Sequence, residues 1–573
     1  MKNNEIATIF DKIADILEFM GEISFKINAY RKASRVIKDL QEDIEAISRN
    51  GKLRELPGIG DALVKKINEY LDTGKINKYE DISKDVPPEL LSLLNIQNLG
   101  PKTLALAHQK LNIKNIDDLT RVIDDGSLSL LPGMGQKKVE NIRKGIQFFL
   151  SAQQRISIGK AVSIVEEIID QLRKKINIEK ICPAGSVRRM KETVGDIDIL
   201  AATDKPKDLI AIFTSLPQIA DVSAAGETKA SVRLKESGLQ VDLRVVSLDC
   251  FGAAQQYFTG SQAHNVKLRG LAKKQSLKIN EYGVFRQDEK LAGDSEKDVY
   301  NIIGLEWIPP EMREDRGEIE LAAEKKLPRL IELEDIQGDL HVHSNYSDGH
   351  ASIQAMATEA KKMGYKYIAI CDHSQSAKYA QGLSIERLLN QSNEIDELNQ
   401  ELNDFKILKG IEVDILSDGT LDYPDEILSK LDLVVASIHT AFTKSPTERI
   451  LKAMENPLVD IIGHPTGRLI SQRQGYEIDV SRIFQKAQDT GTAFEINSYP
   501  DRLDLSDMDA KLAAEFGIML AINTDAHELE NLNYIKFGVA TARRAWLSRK
   551  NILNCLDYQE ILKLKQQRLS KRG

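Results

Sequence analysis

His341, His343 and Asp348 lie within one short stretch, DLHVHSNYSDG. Residues i and i+2 of a strand point to one face, so the two imidazoles can reach one cation or two adjacent ones. Asp348 follows the turn SNYS and can bend back to them. A lone His-x-His is often structural, so the other histidines decide. The chain has nine, and seven lie after residue 340. Six of these end or follow segments that read as strands: His341, His343, His373 in CDHS, His439 in ASIH, His464 in GHP and His527 in NTDAH. The carboxylates Asp348, Glu412 in GIEVD and Asp525 accompany them. Ligands at strand C-termini are what a barrel active site needs. A set of N and O donors without cysteine suits more than one borderline or hard ion, such as zinc or manganese. His350, beyond the Asp-Gly turn, is left out of the set.

A second acidic set lies earlier. In GDIDIL, Asp196 and Asp198 share a strand face, with Ile197 and Ile199 on the other. Two carboxylates that close repel unless a cation sits between them. LQVDLRVV supplies a third, Asp242, on what should be a neighbouring strand. Three convergent aspartates make a two-metal site, one ion activating a 3′-hydroxyl and the other holding a triphosphate. Gly185 and Ser186 open a loop with Arg188 and Arg189, suited to gripping phosphate oxygens.

Three stretches resemble one another: LPGIGDALVKKI from Leu56, IQNLGPKTLALA from Ile96 and LPGMGQKKVENI from Leu131. Each is a glycine turn opening a helix with basic residues. Backbone N–H groups at such a turn can cradle one DNA phosphate without reading bases. Turns between helices often need glycine, but three copies with trailing lysines favour helix-hairpin-helix elements. Their glycines are Gly58, Gly60, Gly100, Gly133 and Gly135; Asn98 stands for the first glycine of the second copy.

These clusters need different scaffolds. With 573 residues, 42% of them hydrophobic, the chain has material for several cores. Residues 1–150 read as short amphipathic helices, divided into a DNA-binding region (1–82) and a hairpin region (83–150). Helices alternate with strands over 151–255, and 256–315 is mixed. The charged stretch 316–336 reads as a linker with one helical piece. Over 337–573, short apolar strands alternate with helices, as in a parallel α/β barrel. Residues 1–300 carry 46 Lys+Arg against 42 Asp+Glu; the remainder carries 32 against 44. The front can meet phosphate, and the acidic back is rich in metal ligands. Four isolated cysteines suit a reducing cytoplasm. The charged N-terminus reads as an amphipathic helix and not a signal peptide, and no apolar run spans a membrane. The three aspartates all precede Gln337, so the back half is expected to be removable without loss of their chemistry.

The stretches AGSVRRMKETVGDIDIL, AGETKASVRL and YFTGSQAHNVKLRGLAKKQSLKINEYGVF resemble a family X DNA polymerase, the group that includes polymerase beta. FKINAYRKASRVI and LPGIGDALVKKINEYLDTGKI resemble that family's N-terminal domain. The resemblance covers roughly residues 1–315 and implies a nucleotidyltransferase palm over 151–255 and a nascent-base-pair domain over 256–315. It implies that Asp196, Asp198 and Asp242 hold two ions, Mg2+ or Mn2+, and that Gly185, Ser186 and Arg189 contact the triphosphate. It implies that Tyr257, Phe258 and Gly260 border the incoming sugar, that Asn265 and Arg269 face the nascent base pair, and that Lys66 is a lyase nucleophile. Gln240, Gln262 and Ala62 stand where the family usually has arginine, aspartate and lysine. The histidine array resembles a PHP domain, all nine positions of its metal pattern being present over about 337–573. That implies a trinuclear site with Zn2+, Mn2+ or both, and phosphoester hydrolysis. Together the halves resemble the bacterial and archaeal family X polymerases with a PHP domain. The resemblance implies gap filling on nicked or gapped DNA with dNTPs, a 3′→5′ exonuclease, and 3′-phosphatase or abasic-site endonuclease activity as extensions. Repair ligase or end-joining factors are the implied partners. Three other readings stay open at this point: a small-molecule phosphatase with an adaptor, a DNA-bridging scaffold, and a template-independent nucleotidyltransferase.

Overall fold

The computed structural model describes residues 2–38, 44–49, 51–56, 58–84, 86–96, 99–152, 155–442, 444–470 and 475–572. The chain divides into two compact units, Met1–Gln154 and Arg155–Gly573.

Every regular element among the described residues of the first unit is a helix. In the helix Lys2–Phe19, Ile6, Phe10, Ile13 and Leu17 recur at helical spacing and are buried. Phe10 meets Tyr30 of the helix Ser24–Lys38 edge to face, centroids 5.5 Å apart. All three glycine hairpins close with the same turn hydrogen bond: Ile59 N–H to Leu56 O (3.1 Å), Leu99 N–H to Ile96 O (3.0 Å) and Met134 N–H to Leu131 O (3.1 Å). Helices Asp61–Thr73, Pro101–Leu111 and Gln136–Ala152 follow directly. Asn98 lies outside the described residues.

In the second unit a palm sheet is built from β1 (Lys180–Pro183), β2 (Asp196–Ala202), β3 (Ile219–Ala225), β4 (Lys229–Leu234) and β5 (Gln240–Val246), in the order β1-β2-β5-β4-β3. β2 and β5 are parallel, and their register sets Asp198 directly beside Asp242. A three-stranded sheet (Lys278–Asn280, Gly283–Arg286, Glu289–Ala292) with helices follows.

Seven parallel strands, each beside its sequence neighbour, make the C-terminal sheet: β6 (Gly338–Val342), β7 (Tyr367–Ile370), β8 (Lys406–Asp414), β9 (Leu433–Ser437), β10 (Ile461–Ile462), β11 (Ala493–Asn497) and β12 (Leu520–Asn523). His343 N–H to Ala526 O (2.9 Å) and Asp525 N–H to His341 O (3.0 Å) join its last strand to its first, closing the barrel. Side chains alternate between two cores: Tyr367, Ala369 and Cys371 join one, Ile368 and Ile370 the other.

Two expectations change. Residues 316–336 contain the expected helical piece (Glu318–Ala323), but the stretch is no free linker. Ile319, Ala322 and Leu330 are buried with the three-stranded sheet, and Ile331 and Ile336 with the barrel. The back half is not independent either. Leu503 and Phe537 from the barrel region sit in the palm's hydrophobic core, and a Cβ on Gly159 would come within 2.5 Å of Pro500.

Candidate active sites

The opening stretch is bent into shape by a buried carboxylate. Asp372, following β7, accepts from Ser344 N–H (2.8 Å), Ser344 Oγ (2.5 Å), Ser347 Oγ and Gln391 Nε2. The turn so fixed carries Asp348 back, with its Oδ1 3.3 Å from His527 Nε2, 3.7 Å from His373 Nε2 and 4.0 Å from His343 Nδ1. The other ligands arrive from strand ends. His343 Nε2 lies 3.2 Å from His341 Nε2 and 3.0 Å from Asp525 Oδ1. Glu412 Oε1 lies 2.9 Å from His464 Nε2 and 3.2 Å from His439 Nε2; its Oε2 lies 2.8 Å from His373 Nδ1 and 3.6 Å from His341 Nε2. All nine expected residues therefore converge. Three overlapping groups have ligand atoms within 4.8 Å of one another: His343–Asp348–His373–His527, His341–His343–Glu412 and His373–Glu412–His439. His350, left out of the set, is exposed and pairs with Glu528 instead.

The donor chemistry fits cations. His343 Nδ1, His464 Nδ1 and Glu412 Oε2 are buried without a hydrogen bond, acceptor atoms that a cation would satisfy. Burial, then the neighbouring His527, pushes the His343 imidazole down to about 3, leaving it neutral and ready to ligate. Burial opposes charging His439 and His527, but the carboxylates outweigh it. Glu412 with Asp414 drives His439 up to about 10, and Asp348 with Asp525 drives His527 up to about 9. Without metal, protons on these rings balance the surplus of carboxylate. Two ligands hold left-handed backbone, Asp525 (φ 54°) and His464 (φ 24°), strain that persists where surrounding contacts fix it.

Supporting carboxylates went unnoticed in the sequence. Glu495 of β11 is fully buried; its Oε1 lies 2.8 Å from His341 Nδ1, and its Oε2 accepts from His464 N–H at 2.7 Å. Asp414 lies 2.5 Å from His439 Nδ1. Such partners fix ring orientation at metal sites. The only signal was an acid inside each apolar run, AFEIN and GIEVD.

In the palm, Asp196, Asp198 and Asp242 share one face of β2 and β5. Their oxygens form none of the groups within 4.8 Å, so they stand more openly than the barrel ligands. Burial, then Asp196 and Asp242, pushes Asp198 up to about 7, and burial with Asp242 raises Asp196. Gln240 Nε2 donates to Asp242 Oδ1 (3.0 Å), and Lys229 Nζ lies 3.7 Å from Oδ2. Gly185 has φ +55°, and a Cβ there would stand 2.1 Å from Asp198 Oδ2, so only glycine lets the loop approach. Ser186 Oγ, one residue on from Gly185, is buried without a hydrogen-bond partner.

Arg188 is bonded to both oxygens of Glu296 (2.7 and 2.9 Å) and to Thr259 Oγ1 (2.6 Å). Arg189 sits between Glu314 Oε1 (3.1 Å from Nε) and Thr259 O, beside Gly260. Tyr257 and Phe258 meet edge to face at 5.2 Å. Asn265 is buried, accepting from Gln256 Nε2 (2.8 Å) and donating to Tyr257 O (2.7 Å); Arg269 is exposed one turn on. Arg468 bonds Glu192 (2.8 Å), Arg502 O and Leu503 O.

In the helical unit, a Cβ at Gly60, Gly100, Gly133 or Gly135 would meet nothing within 4 Å, so the space before each turn is open. Gly58 differs, with Lys32 at 2.7 Å. Lys66 Nζ reaches Ala62 O (3.2 Å), and burial lowers its pKa, Glu69 opposing. Among the described residues no helix is long and apolar enough to cross a membrane.

This fold and these two clusters define a class: a polymerase-type palm and thumb joined to a phosphoesterase barrel behind helix-hairpin-helix elements. Family models match accordingly: a helix-hairpin-helix domain at residues 1–76, a SAM-like helix-hairpin-helix tandem at 89–147, the DNA polymerase beta thumb at 254–314 and the PHP domain at 339–499. The chain is 41% identical over 568 residues to the DNA polymerase/3′-5′ exonuclease PolX of Bacillus subtilis (strain 168), covering 98% of this chain and 99% of that protein. It belongs to the PolX family. A probable phosphatase of Thermoanaerobacter sp. (strain X514) is 32% identical over 231 residues, 38% of this chain and 89% of that one. DNA polymerase lambda of Arabidopsis thaliana is 24% identical over 345 residues, 54% and 62% of the two chains.

Proposed function

We propose that the chain fills short gaps in DNA by template-directed nucleotide addition in the palm and trims 3′ ends in the barrel. The observation that carries this is two acidic clusters of different chemistry in one compact unit: three aspartates on the paired strands β2 and β5, and nine residues whose N and O donors converge in the barrel. The domain limits are those expected from sequence, with 316–336 as a packed connection. Asp196, Asp198 and Asp242 would hold Mg2+ or Mn2+, which when bound acidifies the primer 3′-hydroxyl and neutralises the triphosphate. Gly185 leaves room for Asp198, Ser186 Oγ donates to a phosphate oxygen, and Arg189 presents positive charge. Tyr257, Phe258 and Gly260 border the sugar; Asn265, held by Gln256, and Arg269 face the base pair. Lys66, its amine favoured by burial, serves as the lyase nucleophile.

In the barrel, His341, His343, Asp348, His373, Glu412, His439, His464, Asp525 and His527 would hold three ions, Zn2+ or Mn2+ or both, which when bound supply hydroxide at neutral pH. Glu495 and Asp414 orient two of the imidazoles. Arg502, 3.9 Å from Asp525, offsets the phosphodiester charge. A 3′-phosphatase or abasic-site endonuclease activity uses the same chemistry. Gly58, Gly60, Gly100, Gly133 and Gly135 seat duplex phosphates on gapped or nicked DNA. Free cysteines suit a reducing cytoplasm, where a repair ligase or end-joining factor would follow.

The test is a labelled gapped duplex with manganese, with and without dNTPs. Asp196→Ala with Asp198→Ala should end extension and leave DNA binding and 3′ shortening. His341→Ala with His343→Ala should end 3′ shortening and leave extension. Extension surviving the first pair, or shortening surviving the second, refutes the corresponding assignment.

A further inference from the structure

Arg544 ties the nucleotide loop to the C-terminal domain at Arg189. Arg544, on the helix Ile535–Arg544, is nearly buried with 4% of its side chain exposed. Its Nη1 donates to the main-chain oxygen of Arg189 (2.9 Å) and lies 3.1 Å from Glu314 Oε1. Arg189 Nε stands 3.1 Å from that same Glu314 oxygen. The other end of the Arg544 guanidinium, Nη2, donates to Asp507 Oδ2 (2.8 Å), which Arg316 Nη1 also approaches at 3.1 Å. Glu314 is thus shared between an arginine of the palm loop and one of the barrel domain. The loop has little other slack: Lys191 N–H bonds Ser186 O (3.0 Å), and Met190 holds φ 50°.

We propose that Arg544 is a positioning residue for nucleotide addition: it anchors the Arg189 backbone and draws on Glu314, so that the Arg189 guanidinium keeps charge for the triphosphate. The inference rests on the reading of Arg189 as a nucleotide contact. Without Arg544 the Glu314 carboxylate falls to Arg189, and the tie to the Arg189 carbonyl is lost. An arginine already neutralised by a carboxylate attracts phosphate less. Both changes weaken nucleotide binding and leave the acidic triad intact. The barrel ligands do not touch Arg544, so 3′ shortening reports whether its domain remains folded.

The experiment is steady-state gap filling by the full chain, with 3′ shortening measured in parallel. Arg544→Ala should raise KM for the nucleotide roughly tenfold, the loss of one charge-assisted hydrogen bond, with kcat changed much less. Adding Glu314→Gln, which keeps the acceptor oxygen and removes the charge, should recover part of that rise. Arg189→Ala with Arg544→Ala should match Arg189→Ala alone, since coupled residues are not additive. Fully additive effects, or no recovery by Glu314→Gln, overturn the proposal. So does an unchanged KM for Arg544→Ala beside a raised KM for Arg189→Ala, whereas an unchanged KM for Arg189→Ala overturns the underlying reading. If Arg544→Ala loses 3′ shortening, Arg544→Lys takes its place. It retains the charge but cannot reach all three oxygens, so an intermediate KM supports the proposal and a wild-type KM overturns it.

Discussion

Asp198→Asn is expected to stabilise the metal-free protein at alkaline pH while ending nucleotide addition. Burial, with Asp196 and Asp242 alongside, lifts the Asp198 carboxyl from 3.8 to about 7. A carboxyl raised by folding costs stability as pH rises: the unfolded chain ionises near pH 4, the folded chain only near pH 7. The penalty is therefore absent below pH 4, grows between pH 4 and 7, and is complete above. About three units at about 1.4 kcal/mol each set a ceiling of about 4 kcal/mol. Water reaching the half-buried site, next to an exposed Asp196, brings this to about 2 kcal/mol. Asparagine removes the ionisation and with it the pH dependence. The assay is urea unfolding of wild type and variant in chelator at pH 5 and pH 8. The variant should gain stability over wild type at pH 8, and less at pH 5. Excess magnesium should then stabilise wild type more than the variant. Equal midpoints at pH 8 in chelator, or a gain of the same size at both pH values, would refute the reasoning.

Gly100→Val should weaken binding to every duplex several-fold alike with no change in melting, because Gly100 has φ −71° and open space before it; loss for one sequence only, by anisotropy, contradicts this. Glu495→Gln should lower 3′ shortening by about 10- to 100-fold and weaken metal retention on dialysis, by loosening His341; unchanged metal content and rate would clear Glu495 of that role. A chain ending at Gln337 should lose extension as well as 3′ shortening, because Leu503 and Phe537 leave the palm core; full gap filling by the fragment would show the palm self-sufficient.

The metal clusters were legible because histidine is scarce here and the strand-end pattern repeats. Period-2 alternation placed Asp196 and Asp198, and paired strands brought in Asp242. What stayed hidden depends on who meets whom across long separations. Glu495 supports His341 from 154 positions away, and Arg544 meets Arg189 at 355. Arg188 and Arg189 look alike in sequence, yet only the fold gives one of them to Glu296. The stretch 316–336 read as a linker because its few apolar residues serve two cores and so follow neither period.

The sharing of Leu503 and Phe537 with the palm also bears on how the chain is made. Synthesis runs from the N-terminus, and domains generally fold as they emerge. The helical unit can complete itself early. The palm strands appear by residue 246, but their core waits for a side chain at 537, beyond the last barrel strand. A chain broken off before residue 503 therefore carries the palm strands without Leu503 and Phe537 to complete their core.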